Sequence, residues 1–162
     1  MQLVGVRIEI PANTPMLLLQ ESEGDRRLLP IYIGHPEASS IHLALEGIDS
    51  PRPLTHDLFL DTIEALGATV DRIVITEVRD HTYYAELHLS TGDGEHVVSA
   101  RPSDAVALAV RRDVDIFASE TLLDEAGQPA AAADDDDDEQ ADEIIDEFKD
   151  FIDNVSPEDF AG

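Results

Sequence analysis

The chain contains no cysteine, which excludes disulfide frameworks, thiolate zinc sites, CxxC redox chemistry and a cysteine nucleophile. No apolar run approaches the roughly 20 residues that a membrane-spanning helix needs. The first residues, Met1-Gln2-Leu3-Val4, lack the basic region of a signal peptide. The expectation is a cytoplasmic protein with no membrane partner. Lysine is almost missing: Lys149 stands alone, so any basic contact upstream of it must come from a guanidinium. Positive charge is scarce, with 10 Lys+Arg against 36 Asp+Glu and a formal net charge of −26. Residues 1–123 carry 20 acidic side chains against 9 arginines, whereas residues 124–162 carry 16 against Lys149 alone. A field of this sign repels phosphate backbones and gives no basic footprint, so nucleic acid is an allowed but disfavoured partner.

What is present suits one domain with an appendage: 162 residues, 43% hydrophobic and 28% charged. Val4, Val6, Ile8 and Ile10 alternate with polar or small residues, the period of a half-buried strand. Met16–Leu19 and Leu28–Ile33 read as further strands, with Pro30 marking an edge, a bulge or a strand start. The period then becomes helical. Ala38, Ile41, Leu45 and Ile48 line one face, and Gly47 is a stop. Thr55 is the expected N-cap of a second helix burying Phe59, Ile63 and Leu66. Val70–Val78, the run with Tyr83, Ala85, Leu87 and Leu89 on one face, and Glu95–Ala100 read as strands. Thr91-Gly92-Asp93-Gly94 is a hairpin signal between the last two. A helix from Pro102 to Val110 is apolar nearly all round and therefore buried, and Asp115–Ala118 is a final strand.

Hairpins interrupted by helices indicate an α+β class, with a mixed, mostly antiparallel sheet and helices packed on it. Residues 1–123 form this domain. Residues 124–141 read as an acidic low-complexity linker, with Asp134–Asp138 at its centre. In residues 142–162, Ile144, Ile145, Phe148, Phe151, Ile152 and Val155 make one apolar helical stripe. An isolated helix of that length is marginal in water. Its partner is its own core, a second subunit or another protein, and a homo-oligomer is the expected assembly.

Three segments are richer in polar and special residues than packing requires: Leu29–Ala38, Arg52–Leu58 and Ala100–Ala109. The strings Arg52-Pro53-Leu54-Thr55-His56-Asp57-Leu58 and Arg101-Pro102-Ser103-Asp104-Ala105 are long and unusual. With Tyr83-Tyr84-Ala85 and the ending Val155–Phe160, they make residues 1–123 resemble the bifunctional nuclease family. Ser99 departs from the family's pattern, where an Asp often precedes the Arg-Pro-Ser-Asp string. The short helical module shared with excision-repair proteins, which some members carry, is not found in this sequence. The resemblance implies a mixed α+β fold and hydrolysis of DNA and RNA. It carries over no catalytic residue.

The site must therefore be argued from chemistry. Phosphodiester hydrolysis needs an activated water, neutralised phosphoryl oxygens and a protonated leaving oxygen. His56 and Asp57 at a helix start suit a base and a ligand, and Asp104 offers a further catalytic carboxylate. Arg52 and Arg101 suit phosphate binding. Glu37, beside His35, joins Asp57 and Asp104 as a candidate ligand for a Mg²⁺ or Mn²⁺ ion, with no organic cofactor implied. The competing reading is structural. Asp57 and Asp104 cap helices, and the arginines pair with those same carboxylates. His42, His81, His88 and His96 fall on exposed faces or turns. No HExxH or EF-hand spacing is present. The alternatives are a non-catalytic oligomeric adaptor and a small-anion binding domain. What separates them is whether Arg52, His56, Asp57, Arg101 and Asp104 converge in an open cleft or are buried and mutually paired.

Overall fold

The computed structural model describes residues 1–48 and 50–130. The acidic run at 134–138 and the amphipathic stripe from Ile144 to Val155 lie outside the described residues. The chain folds in the order β1 (Gln2–Glu9), β2 (Thr14–Gln20), β3 (Leu28–Tyr32), α1 (His35–Leu45), α2 (Thr55–Ala65), β4 (Thr69–Arg79), β5 (Thr82–Thr91), β6 (Gly94–Ala100), α3 (Pro102–Arg112), β7 (Asp115–Ala118) and α4 (Glu120–Ala126). This is an α+β fold. The strands form two sheets, β1-β2-β3 and β6-β5-β4-β7, antiparallel except where β7 runs parallel to β4. Among the described residues, no helix is long and apolar enough to cross a membrane.

Local chemistry explains the connections. Asp80 and His81 both adopt positive φ, 50° and 59°, the backbone of a two-residue hairpin turn that follows the strand twist. Gly47 has φ 62° and ends α1 by letting Ile48 N donate to Leu43 O at 3.0 Å. Pro30 lies on β3, an edge strand, paired with Leu18.

The core sits between the sheets and α3. Leu17, Leu19, Leu29 and Ile31 face Ile73, Ile75, Ala85 and Leu87 across a cluster that includes Val106, Leu108 and Leu122. Helix α3 contacts α1, α2, β4, β5 and β7. Residues Ala105–Ala109 are all buried, so this helix is apolar round its circumference because it has neighbours on every side.

Four features differ from the sequence pattern. The N-cap of α2 is Leu54, not Thr55, and the Asp57 carboxylate turns back to accept from Leu54 N at 2.8 Å. Phe59 and Leu66 are exposed, while Leu60 and Ile63 are buried. The rotation of α2 follows from its acids: Asp57 meets Arg111, and Glu64 accepts from Arg112 Nε at 2.8 Å, so that stripe must face α3. Leu45 and Ile48 are exposed because α1 ends at Leu45 and the chain reverses. In β1 a bulge between Leu3 and Gly5 resets the alternation. Leu3 and Val6 then pack on the core while Val4, at the bulge, is exposed; Ile8 and Ile10 are exposed at and beyond the end of the strand.

Helix α4 extends the compact unit to Gln128, beyond residue 123. Ser119 caps it, accepting from Leu122 N at 3.2 Å, and Leu28 and Gln128 exchange two backbone hydrogen bonds of 2.7 Å. Arg27 reaches Glu21 at 2.8 Å, Glu120 at 2.6 Å and Asp124 at 2.8 Å. The hydrogen bonds from Arg27 hold the Glu21 carboxyl at a pKa of about 2. Glu21 therefore contributes stability that is complete above its unfolded pKa, near 4.5, and is lost as pH falls toward 2. Leu122 is 1% exposed, and Leu122→Ala is expected to cost about 2–5 kcal/mol, read from urea unfolding. Wild-type stability in that variant would show that α4 is not part of the core.

Candidate functional site

Helices α1, α2 and α3 start alike. Each has an extended N-cap residue (Gly34, Leu54, Arg101) and an acid three positions later (Glu37, Asp57, Asp104). Prolines in the first turns of α1 and α3 fit because those N–H groups have no intrahelical partner. The acids complement the positive ends of the helices.

Two guanidinium groups organise these starts. Arg111, whose side chain is 8% exposed, donates from Nε to Asp57 Oδ1 at 2.6 Å. It also donates to Ala107 O at 2.7 Å and to both Ser40 O and Ser40 Oγ at 3.1 Å. One buried cation thus ties α1, α2 and α3 together. Arg101 is 65% exposed. It grips Asp104 through Nε at 2.7 Å and Nη2 at 3.0 Å, and Glu37 through Nη1 at 2.9 Å. Its hydrogen bonds to Asp104, then to Glu37, raise its pKa above the usual arginine value.

His56 joins the two groups. Its Nδ1 lies 2.8 Å from Ser40 Oγ and its Nε2 3.4 Å from Asp104 Oδ1. Ser40 Oγ accepts from Arg111 and keeps one further lone pair and its own proton for His56. When that proton is directed to Nδ1, the ring proton lies on Nε2, facing Asp104. Glu37, Ser40, His56, Arg101 and Asp104 line one cleft of about 350 Å³. Pro36, Leu43 and Leu54 supply apolar walls.

Asp57 does not join this cleft. Successive residues on a helix diverge by about 100°, so His56 and Asp57, adjacent in sequence, face different sides. Asp57 opens with Arg111 and Arg112 onto another depression of about 330 Å³. Burial raises its pKa, but the bonds from Arg111 and Leu54 N outweigh this and hold it below the ordinary carboxylate value. Arg52 and His35 are exposed and make no hydrogen bond or ion pair among the described residues. Ser40 and Arg111 were not apparent from the sequence motifs. The available signal for Arg111 was a charged residue seven positions after Asp104, on the same face of a buried helix. For Ser40 it was the three-residue spacing from Glu37.

The starts of α1, α2 and α3 thus meet at a cleft that holds an exposed arginine, a histidine and two carboxylates. The bifunctional nuclease domain model matches residues 17–131, and the chain belongs to that family. An uncharacterized protein of Mycobacterium tuberculosis is 44% identical over 161 residues, covering 98% of this chain and 96% of its own. "Bifunctional nuclease 1" of Oryza sativa subsp. indica is 31% identical over 114 residues, 68% of this chain but 34% of the rice protein. "Bifunctional nuclease 2" of Arabidopsis thaliana is 31% identical over 109 residues, 65% of this chain and 33% of its own. The match thus spans about a third of the plant proteins' length.

Arg111→Ala strands a partly buried Asp57 carboxylate and is expected to cost about 3 kcal/mol, the low end for a broken buried pair. In wild type the contribution of Asp57 is present above its unfolded pKa of 3.8 and is lost as pH falls through its lower folded value. The stability gap between wild type and Asp57→Asn should therefore be full above pH 3.8 and close as pH falls below it, read from acid titrations of both. At Gly34 an added Cβ would overlap Glu37 Oε2. Gly34→Ala is thus expected to displace Glu37 from Arg101, which a crystal structure of the variant would reveal.

Proposed function

We propose that the protein hydrolyses phosphodiester bonds of DNA and RNA at the cleft shared by Glu37, Ser40, His56, Arg101 and Asp104. The observation that carries this reading is the His56–Asp104 pair beside an exposed Arg101, in a chain of the bifunctional nuclease family. Three of the five guanidinium N–H groups of Arg101 are engaged by Asp104 and Glu37. The other two are free, among the described residues, to bind phosphoryl oxygens. A water next to Ser40 gives its proton to Ser40 Oγ as Ser40 passes its own to His56 Nδ1. The hydroxide attacks phosphorus and the leaving oxygen takes a proton from solvent. Asp104 stabilises the imidazolium through Nε2.

The expected Mg²⁺ or Mn²⁺ site has no ready-made donor set. Among the described residues no three His, Asp or Glu side chains are grouped to hold a metal ion. Glu37 and Asp104 already share Arg101, and Asp57 is bound to Arg111. The residues do not fit the ion, so the positive charge on phosphate comes from Arg101 in this reading.

The test is cleavage of single- and double-stranded DNA and RNA by highly purified protein, with Mg²⁺, with Mn²⁺ and with EDTA. His56→Ala is expected to lose about 10²–10⁴-fold in rate while remaining folded. Cleavage unchanged in that variant would remove His56 from the mechanism, and abolition by EDTA would restore the metal-dependent version. A second reading, a non-catalytic oligomeric adaptor, draws on the mutual pairing of the motif charges and on exposed Phe59 and Leu66. It predicts no cleavage under any condition, and a monomer when Phe59 and Leu66 are replaced by polar residues.

A further inference from the structure

Arg101 lines a second cleft of about 350 Å³, next to the one that holds His56. Tyr32 at the end of β3, His81 in the β4–β5 turn, Tyr83 at the start of β5 and Ser103 in the first turn of α3 share it. Neither the hydrolytic chemistry proposed above nor the packing of the core uses these side chains together.

Two observations mark the α3 side of this cleft as an anion site. Ser103 is only 6% exposed, lines the cleft, and has no side-chain hydrogen bond among the described residues. The hydroxyl itself is not sealed off but reaches solvent at the cleft, so its donor and lone pairs are left to whatever occupies the cleft. The first intrahelical bond of α3 runs from Ala105 N to Arg101 O at 3.0 Å. The N–H groups of Ser103 and Asp104 precede it and sit at the positive end of an 11-residue helix. With the Ser103 hydroxyl, these N–H donors suit a phosphate.

The opposite side is aromatic. Tyr32 is 57% exposed, yet its ring is held in place because its hydroxyl donates to Glu9 Oε1 at 3.1 Å. An exposed, oriented ring beside phosphate donors is a stacking platform for a base. We infer that this cleft binds one nucleotide of a single strand, its phosphate at the start of α3 and its base stacked against Tyr32. The inference rests on the reading of the neighbouring cleft as the hydrolytic one. Because Arg101 borders both, the bound nucleotide is the one flanking the scissile phosphate. Base-paired substrates cannot offer an unstacked base there, so single strands are preferred over duplexes.

The test is binding of the full chain in EDTA at low salt, followed by anisotropy of a labelled short single-stranded oligonucleotide. An abasic oligonucleotide of the same length and inorganic phosphate serve as comparison probes. The intact oligonucleotide is expected to bind at least tenfold more tightly than the abasic one, with phosphate competing against both. Tyr32→Ala should weaken binding of the intact probe about tenfold, as expected for one lost base stack, and leave the abasic probe unaffected. Tyr32→Phe, which keeps the ring but loses the bond to Glu9, should bind the intact probe more tightly than Tyr32→Ala and less tightly than wild type, and Ser103→Ala should weaken both probes. Equal affinity for intact and abasic probes, an unaffected Tyr32→Ala variant, or no binding at all would each overturn the subsite. The readout does not depend on cleavage. The expected binding pattern without cleavage would uphold the subsite and refute hydrolysis. Cleavage with an unchanged KM in Tyr32→Ala would do the reverse.

Discussion

The arrangement of this protein depends on where the Arg111 guanidinium sits. It is nearly buried, and each of its contacts reaches a different part of the helical layer: Asp57 on α2, Ser40 on α1 and Ala107 within α3. A cation removed from water is tolerable only when its donors are satisfied with good geometry. That requirement fixes the rotation of α2 and the position of Ser40 together. The consequences extend outward. The stripe of α2 facing Arg111 and Arg112 must be acidic, so its large apolar residues Phe59 and Leu66 turn to solvent. Ser40, fixed by Arg111, orients His56, and His56 in turn faces Asp104.

The charge of the protein takes on a different meaning in this light. A formal charge of −26 argues against attraction of a polyanion from a distance. Most arginines of the described unit are absorbed by ion pairs, among them Arg27, Arg72, Arg79, Arg111 and Arg112. Arg101 is paired but exposed, with N–H groups left over. Affinity for phosphate, in this account, comes from short-range donors at the start of α3 and not from a basic surface. Such binding is local and tolerates an acidic surrounding field.

The sequence conveyed much of the fold and only part of the site. Strands with clear alternation or strong turns were legible: β5 with Ala85 and Leu87 inward, the Gly92-Asp93 hairpin, and β7 at Asp115–Ala118. Helix α3 was legible as buried from its composition. The burial of α2 was not, because hydrophobicity alone favours Phe59, whereas the interaction with Arg111 and Arg112 favours its acidic stripe. The exposure of Val4 is not legible, because a bulge beside it shifts the period by one residue, which periodicity cannot anticipate. At the site, the motifs identified His56, Asp104, Arg101 and Glu37, which do meet at one cleft. They grouped Asp57 with His56 because the two are adjacent in sequence, although a helix separates neighbours. Ser40 and Arg111 carry no motif, since their roles arise only when three helices pack.

The central claim is that the Arg111 anchor sets the state of His56. The most direct measurement is the ring ¹⁵N spectrum of His56 at about pH 8, where an ordinary imidazole is neutral. The account predicts a fixed Nε2–H tautomer with Nδ1 accepting from Ser40, and loss of that preference in Arg111→Met. An Nδ1–H tautomer, or a ring that averages as freely as exposed His35, would contradict it.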